Sequence, residues 1–116
     1  MLKSPVRVWP NNPTFSRVGI VPGGGGSTRY LATALARGCD TFLTGEGSLY
    51  TELFAQEVGL TLVYATHVGT EFPGTCALAE HTAEEFALPW IALPEAVDIS
   101  GGGTPPIHYD WMPPSA

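Results

Sequence analysis

"DTFLTGEGSLYTELFAQEVGLTLVYAT", residues 40–66, decides the fold class. Its two apolar runs, "DTFLTG" (40–45) and "LTLVYAT" (60–66), are too short for helices and rich in β-branched and aromatic residues, so each reads as a strand. Between them Ser48 is a natural N-cap for "LYTELFAQEV", in which Leu49, Leu53 and Phe54 share a helical face. Gly59 follows where a helix can stop in a left-handed turn. Strand, helix and strand in this order make a crossover unit, and strands joined that way pair in parallel.

The same punctuation extends upstream. "RVGIV" (17–21) reads as a buried strand that ends at Pro22 and the run Gly23 to Gly26. Ser27 then caps "TRYLATALAR", with Leu31, Ala34 and Leu35 on one face and Gly38 just beyond its end. Downstream, Pro73 and Gly74 are expected to open a third helix that runs to about Phe86, with Leu78, Thr82 and Phe86 at i, i+4 and i+8. "LPWIAL" (88–93), with a proline on both sides of its apolar core, is expected as an edge strand. The reading is an α/β fold: a single domain of alternating strands and helices over residues 17–93, with a mostly parallel sheet. Residues 1–16, including the alternating "VRVW" at 6–9, form an extended lead-in, and residues 94–116 a Gly- and Pro-rich tail.

Composition narrows the function classes. Eleven acidic against five basic residues give a net charge of −6, which repels a phosphate backbone, so no nucleic-acid partner is expected. The apolar runs fall far short of a membrane span and the amino terminus has no continuous apolar core, so neither a transmembrane helix nor a signal peptide is expected. Cys39 and Cys76 lack the spacing of a redox or zinc motif; free thiols in a reducing, cytoplasmic setting are the expectation.

Three polar clusters fall at the carboxyl ends of three strands, the edge at which open α/β sheets bind ligands. After the first comes the glycine run with Ser27, whose backbone N–H groups at a helix start suit an anion. The run lacks both the third glycine of a dinucleotide fingerprint, since Thr28 stands there, and the Gly-Lys-Ser/Thr of a P-loop. After the second strand come Thr44, Gly45, Glu46 and Gly47; Glu46 between two glycines is placed for a ligand or for a contact that orients His67. After the third come His67 and Glu71. An imidazole and a carboxylate on firm backbone suit a divalent metal, yet zinc in a catalytic site takes three protein ligands. Spacing alone equally allows Glu71 as a first-turn carboxylate favoured by the helix dipole. There is no G-x-S-x-G elbow, and neither cysteine has the surroundings of a nucleophile.

Taken together, "GGGGS", "CDTFLTGEGS", "GLTLVYATHVGTEFPG" and "CALAEHTAEEF" resemble the carboxyl-terminal half of the NIF-three-like family, dinuclear metal centre proteins also described as GTP cyclohydrolase I type 2 homologues. The resemblance covers about residues 17 to 93. It implies that His67 and Glu71 match metal ligands, with Glu71 bridging two divalent ions (zinc, iron or manganese), and that Thr44, Gly45 and Glu46 lie on the loop beside them. It also implies a homo-oligomeric ring, often a hexamer, and metal-dependent hydrolysis of a nucleotide or similar phosphate-bearing compound.

The departures from the family pattern are specific. Its members are about twice as long, and their amino-terminal half supplies a His pair and an Asp to the metal site. Where they commonly carry His after the Gly-Glu motif, this chain has Leu49 and Tyr50. The expectation is therefore a metal site shared with other polypeptide, either more copies or a separate amino-terminal-half partner. In it His67 and Glu71 are the ligands, and Glu46, Ser27, Gly25, Gly26, Thr44 and Gly45 serve the substrate or steady the ligands. The alternative is a non-catalytic oligomeric binding or assembly module in which the site has degenerated.

Overall fold

The computed structural model of the protein describes residues 5–93. In chain order they form β1 (Arg7–Trp9), β2 (Val18–Val21), α1 (Thr28–Ala36), β3 (Thr41–Thr44), α2 (Leu49–Val58), β4 (Thr61–Tyr64) and α3 (His67–Phe86). This is the α/β architecture that the crossover pattern predicts. Pro5–Glu71 forms one compact unit that holds the sheet, α1, α2 and the start of α3; the described part of the other begins at Phe72.

The four strands lie in the order β1-β4-β3-β2. β2 pairs in parallel with β3, from Val18↔Thr41 to Val21↔Thr44, and β3 in parallel with β4, from Thr41↔Thr61 to Thr44↔Tyr64. The registers are flush, so Val21, Thr44 and Tyr64 end in one row and the loops that follow them leave from one edge. β1 runs antiparallel to β4, which makes the sheet mixed. It comes from the "VRVW" alternation inside the expected lead-in. The expected strand at 88–93 does not form, and Pro89 explains why: it has no N–H to give to a ladder.

The faces of α1 and α2 that meet the sheet build the core of the first unit. Leu31 and Ala34 from α1 and Ala55 from α2 pack with Phe42, Leu60, Leu62 and Tyr64, flanked by Trp9, Val21, Cys39, Phe54 and Val58. A methyl group on Gly19 would come within 3.0 Å of Ala34 Cβ, so glycine in β2 lets α1 lie close to the sheet. The buried face of α2 differs from the expected one. Thr51 and Ala55 point inward while Leu49 and Leu53 are exposed, and Leu35 of α1 is exposed as well. Thr51 can be buried because its hydroxyl is satisfied: it donates to the Gly26 carbonyl and accepts from the Ser48 N–H.

α3 begins at His67, six residues before the expected start at Pro73. Thr66 caps it, accepting the Gly69 N–H at 2.9 Å, and Pro73 lies inside the helix. A helix this long tolerates the one missing backbone bond that proline imposes. On its later turns Leu78, Thr82 and Phe86, the expected apolar face, are exposed, and Cys76 is buried instead. Both cysteines are free thiols. Among the described residues no helix is long and apolar enough to cross a membrane.

Candidate functional site

The loops after β2 and β3 and the first turn of α3 meet at the backbone of one residue, Gly23. Its carbonyl accepts the backbone N–H groups of Gly45 (3.0 Å) and Glu46 (3.1 Å) and the hydroxyl of Thr44 (3.3 Å). Its N–H is donated to Thr70 Oγ1 at 2.8 Å. Gly23 has φ +67°, a left-handed conformation in which a side chain is costly. A methyl group there would also fall on the Glu71 carboxylate and within 3.0 Å of His67 Nε2.

His67 and Glu71 stand one turn apart at the start of α3, and that is why they meet. His67 Nε2 lies 3.1 Å from Glu71 Oε1, and Nδ1 lies 2.7 Å from Glu46 Oε1, which the β3 loop supplies. All three side chains are about half exposed, at 46%, 51% and 61% for His67, Glu71 and Glu46. The Glu46 hydrogen bond pushes the His67 pKa above its usual value; partial desolvation opposes this, and the charges of Glu71 and Glu46 add to it. When the ring is neutral with its proton on Nδ1, Glu46 accepts that proton and the Nε2 lone pair faces Glu71. This is the tautomer that a metal-binding histidine uses, with the far nitrogen held by a carboxylate.

The β4-to-α3 turn that delivers His67 is strained. Thr66 has φ +66°, where a β-branched residue rarely sits. Gly45 packs against the turn so closely that a methyl group on it would lie 2.7 Å from both His67 Cα and Thr66 O. Strained backbone clamped by a neighbouring loop is a recurring property of functional sites.

The structure brings His67, Glu71 and Glu46 together, with Gly45 as backbone beneath them. Thr44 is fully buried and acts through its bond to Gly23. Ser27 caps α1, its side chain accepting the Arg29 N–H. Gly25 faces Val21 and Thr44, and Gly26 faces Gly47, Glu46 O and Thr51, so these two serve loop packing. Three residues that the sequence pattern did not single out matter here: Gly23, Thr66 and Thr70. Only the position of Gly23 at the head of the glycine run, directly after Pro22, could have marked it.

The donor chemistry fits a divalent ion in part. Metal–nitrogen and metal–oxygen bonds of about 2.0–2.2 Å put two donors on adjacent corners roughly 3–3.4 Å apart, and His67 Nε2 and Glu71 Oε1 have that separation. Imidazole with carboxylate suits zinc, iron and manganese alike. Among the described residues, however, no group of three or more His, Cys, Asp and Glu side chains is arranged to hold a metal ion.

Known proteins resemble this chain in sequence and in fold. The family model for Duf34/NIF3 (NGG1p interacting factor 3) matches residues 2–96. A GTP cyclohydrolase 1 type 2 homolog from Deinococcus radiodurans is 38% identical over 79 residues, covering 68% of this chain and 29% of that protein. The homolog from Haemophilus influenzae is 42% identical over 79 residues, covering 67% and 31%. The chain thus spans about three tenths of the length of these two relatives. In structure, reduced HcgD from Methanocaldococcus jannaschii superposes with a TM-score of 0.64 at 24% identity, over 72% of this chain and 34% of that one. A Bacillus cereus protein related to NIF3 gives 0.56 at 19% identity, over 79% and 29%. These two likenesses support the fold.

Proposed function

The chain belongs to the Duf34/NIF3 family, and from that premise we propose that it contributes His67 and Glu71 to a divalent-metal site completed by other polypeptide. The observation that carries the reading is the pair itself: Nε2 and Oε1 are 3.1 Å apart, with the far ring nitrogen fixed by Glu46 at 2.7 Å. Zinc, iron or manganese is the class of ion that such donors select. The completed site acts in metal-dependent hydrolysis of a nucleotide or another phosphate-bearing compound.

Each residue then has a part. Glu46 holds the Nδ1 proton, so that the imidazole presents its Nε2 lone pair beside Glu71. Glu71 supplies the negative charge that offsets a divalent cation, and the Gly23 backbone keeps the β3 loop and the first turn of α3 in register around both. The ion, when bound, would supply Lewis acidity and make a water acidic enough to attack near neutral pH. The remaining ligands come from further copies of the chain or from a separately folded amino-terminal half. The direct test is metal analysis of the purified protein against His67→Ala. A stoichiometric divalent ion in the parent that is lost from the variant supports the site; none in either sample defeats a site built from copies of this chain alone.

A second reading, an oligomeric assembly module without catalysis, draws support from the lack of a three-ligand group among the described residues. It predicts a stable assembly whose solution mass is the same with and without a chelator.

A further inference from the structure

We propose that Thr70 is a positioning residue: its hydroxyl fixes the first turn of α3 to the Gly23 peptide and so sets where His67 and Glu71 stand relative to Glu46. The inference rests on the metal-site reading for its affinity test, but the tether itself can be measured without metal.

The hydroxyl is used twice. It accepts the Gly23 N–H at 2.8 Å, and the carbonyls of Thr66 and His67, each 3.0 Å away, are both in reach of its single proton. On the other side of the Gly23 Cα, the carbonyl accepts the N–H of Glu46 at 3.1 Å. A continuous path therefore runs from the Glu46 backbone, through the backbone of one residue and one hydroxyl, to the turn that carries His67. The side chains at its two ends meet at 2.7 Å. Glu46 and His67 belong to different loops, and each of their long or exposed side chains has freedom of its own. Without a tether between the backbones, a hydrogen bond between two half-exposed groups would hold the imidazole weakly.

Position in the chain makes Thr70 the residue able to do this. It lies one step before Glu71 and one turn after Thr66, so its side chain lies beside the first-turn carbonyls of Thr66 and His67. A hydroxyl at this point can bond back to the helix and still accept from outside it. Valine has the same shape but cannot accept the Gly23 N–H, and serine keeps the hydroxyl without the methyl group. The three side chains separate the hydrogen bond from the packing.

The experiment uses the full chain as parent, Thr70→Val and Thr70→Ser, with two readouts. The first is hydrogen exchange at the Gly23 amide together with the His67 ring-nitrogen resonances, recorded without added metal. The second is the affinity for Co²⁺, from competition against a chromophoric chelator and from the visible spectrum of the bound ion. Loss of a group that orients a ligand costs about 10- to 100-fold in metal affinity. Thr70→Val is expected to weaken Co²⁺ at least tenfold, to alter its spectrum, to speed Gly23 exchange and to shift the His67 resonances, while Thr70→Ser restores all four. Undiminished Gly23 protection in Thr70→Val, or a serine variant that behaves like valine, overturns the proposal. So does a valine variant that binds Co²⁺ as tightly as the parent. If the parent binds no Co²⁺, a metal site built from copies of this chain alone fails, and unchanged exchange and resonances in Thr70→Val would then overturn the tether while changes in both would uphold it.

Discussion

Gly23→Ala should separate the two demands made on this position, its backbone conformation and the space its missing side chain leaves. At φ +67° an alanine pays about 1–2 kcal/mol for the left-handed conformation. Its methyl group would also fall on Glu71 Oε1, 2.9 Å from Glu71 Cδ and 3.0 Å from His67 Nε2. The Glu71 side chain is half exposed and can swing away, so the collision adds little to the loss of stability. It does remove the carboxylate from beside the imidazole. The expected result is a stability loss of about 1–2 kcal/mol, with a metal affinity reduced far more than the stability. Gly74→Ala is the matched control. Among the described residues nothing lies within 4 Å of a methyl group there, the position is inside α3, and alanine gains roughly 0.5–1 kcal/mol over glycine in a helix.

Thermal denaturation of both variants, with Co²⁺ titration of each folded protein, tests the pair. For a domain of this size 1 kcal/mol corresponds to roughly 4 °C in Tm, so the two substitutions should move the midpoint in opposite directions by a readable amount. A Gly23→Ala protein as stable as its parent, with undiminished Co²⁺ affinity, would refute the placement of Gly23 against Glu71. Equal losses in both variants would show that the effect is generic to glycine replacement.

Two further outcomes follow from groups away from the His67–Glu71 pair. Asp40 accepts hydrogen bonds from the Ser16 hydroxyl at 2.6 Å, the backbone N–H groups of Ser16 and Arg17, and the Thr41 hydroxyl; led by the Ser16 hydroxyl, these hold its pKa at about 2, against 3.8 for the free side chain. A carboxylate whose folded pKa is depressed adds stability that is complete above about pH 4 and lost as the pH falls to about 2. The stability gap between the parent and Ser16→Ala should accordingly narrow from pH 5 to pH 2, and a gap of constant size would refute the assignment. Thr51→Val strands the Gly26 carbonyl and the Ser48 N–H, at about 1–3 kcal/mol, whereas Thr51→Ser loses about 1 kcal/mol with its methyl group. Chemical denaturation should rank valine below serine, and the reverse order would mean that packing, not the hydroxyl, keeps Thr51 inside.

The elements that local patterns specify were legible in the sequence. β2, β3, β4, α1 and α2 each carry a period and a stop signal of their own, and each forms within a residue or two of the expected span. Where a local signal competes with tertiary context, the expectation fails. Pro73 and Gly74 look like a helix start, but Thr66 supplies a cap seven residues earlier, and a β-branched residue in a left-handed conformation is not something that propensity predicts. On α2, apolarity favours Leu49 and Leu53 for the core. Burial goes to Thr51, since two backbone groups wait there to satisfy its hydroxyl, and no hydropathy pattern records them.

The site divides along the same line. Its chemistry is written in side-chain identities that spacing can pair: His67 and Glu71 at i, i+4 on one helix, and Glu46 at the end of the adjacent strand. Its geometry is written in backbone groups. Four consecutive glycines are interchangeable in the sequence, yet one of them, Gly23, has its carbonyl claimed by the β3 loop, its N–H by Thr70, and the space of its absent side chain by Glu71. A chain could keep the imidazole and both carboxylates and still lose the site by one methyl group at that position. Conversely, a relative that conserved Gly23 and Thr70 but exchanged the ligands would keep a preformed cradle suited to a different ion. The Gly23 backbone rather than the His67–Glu71 pair is therefore the part of this site that fixes its shape.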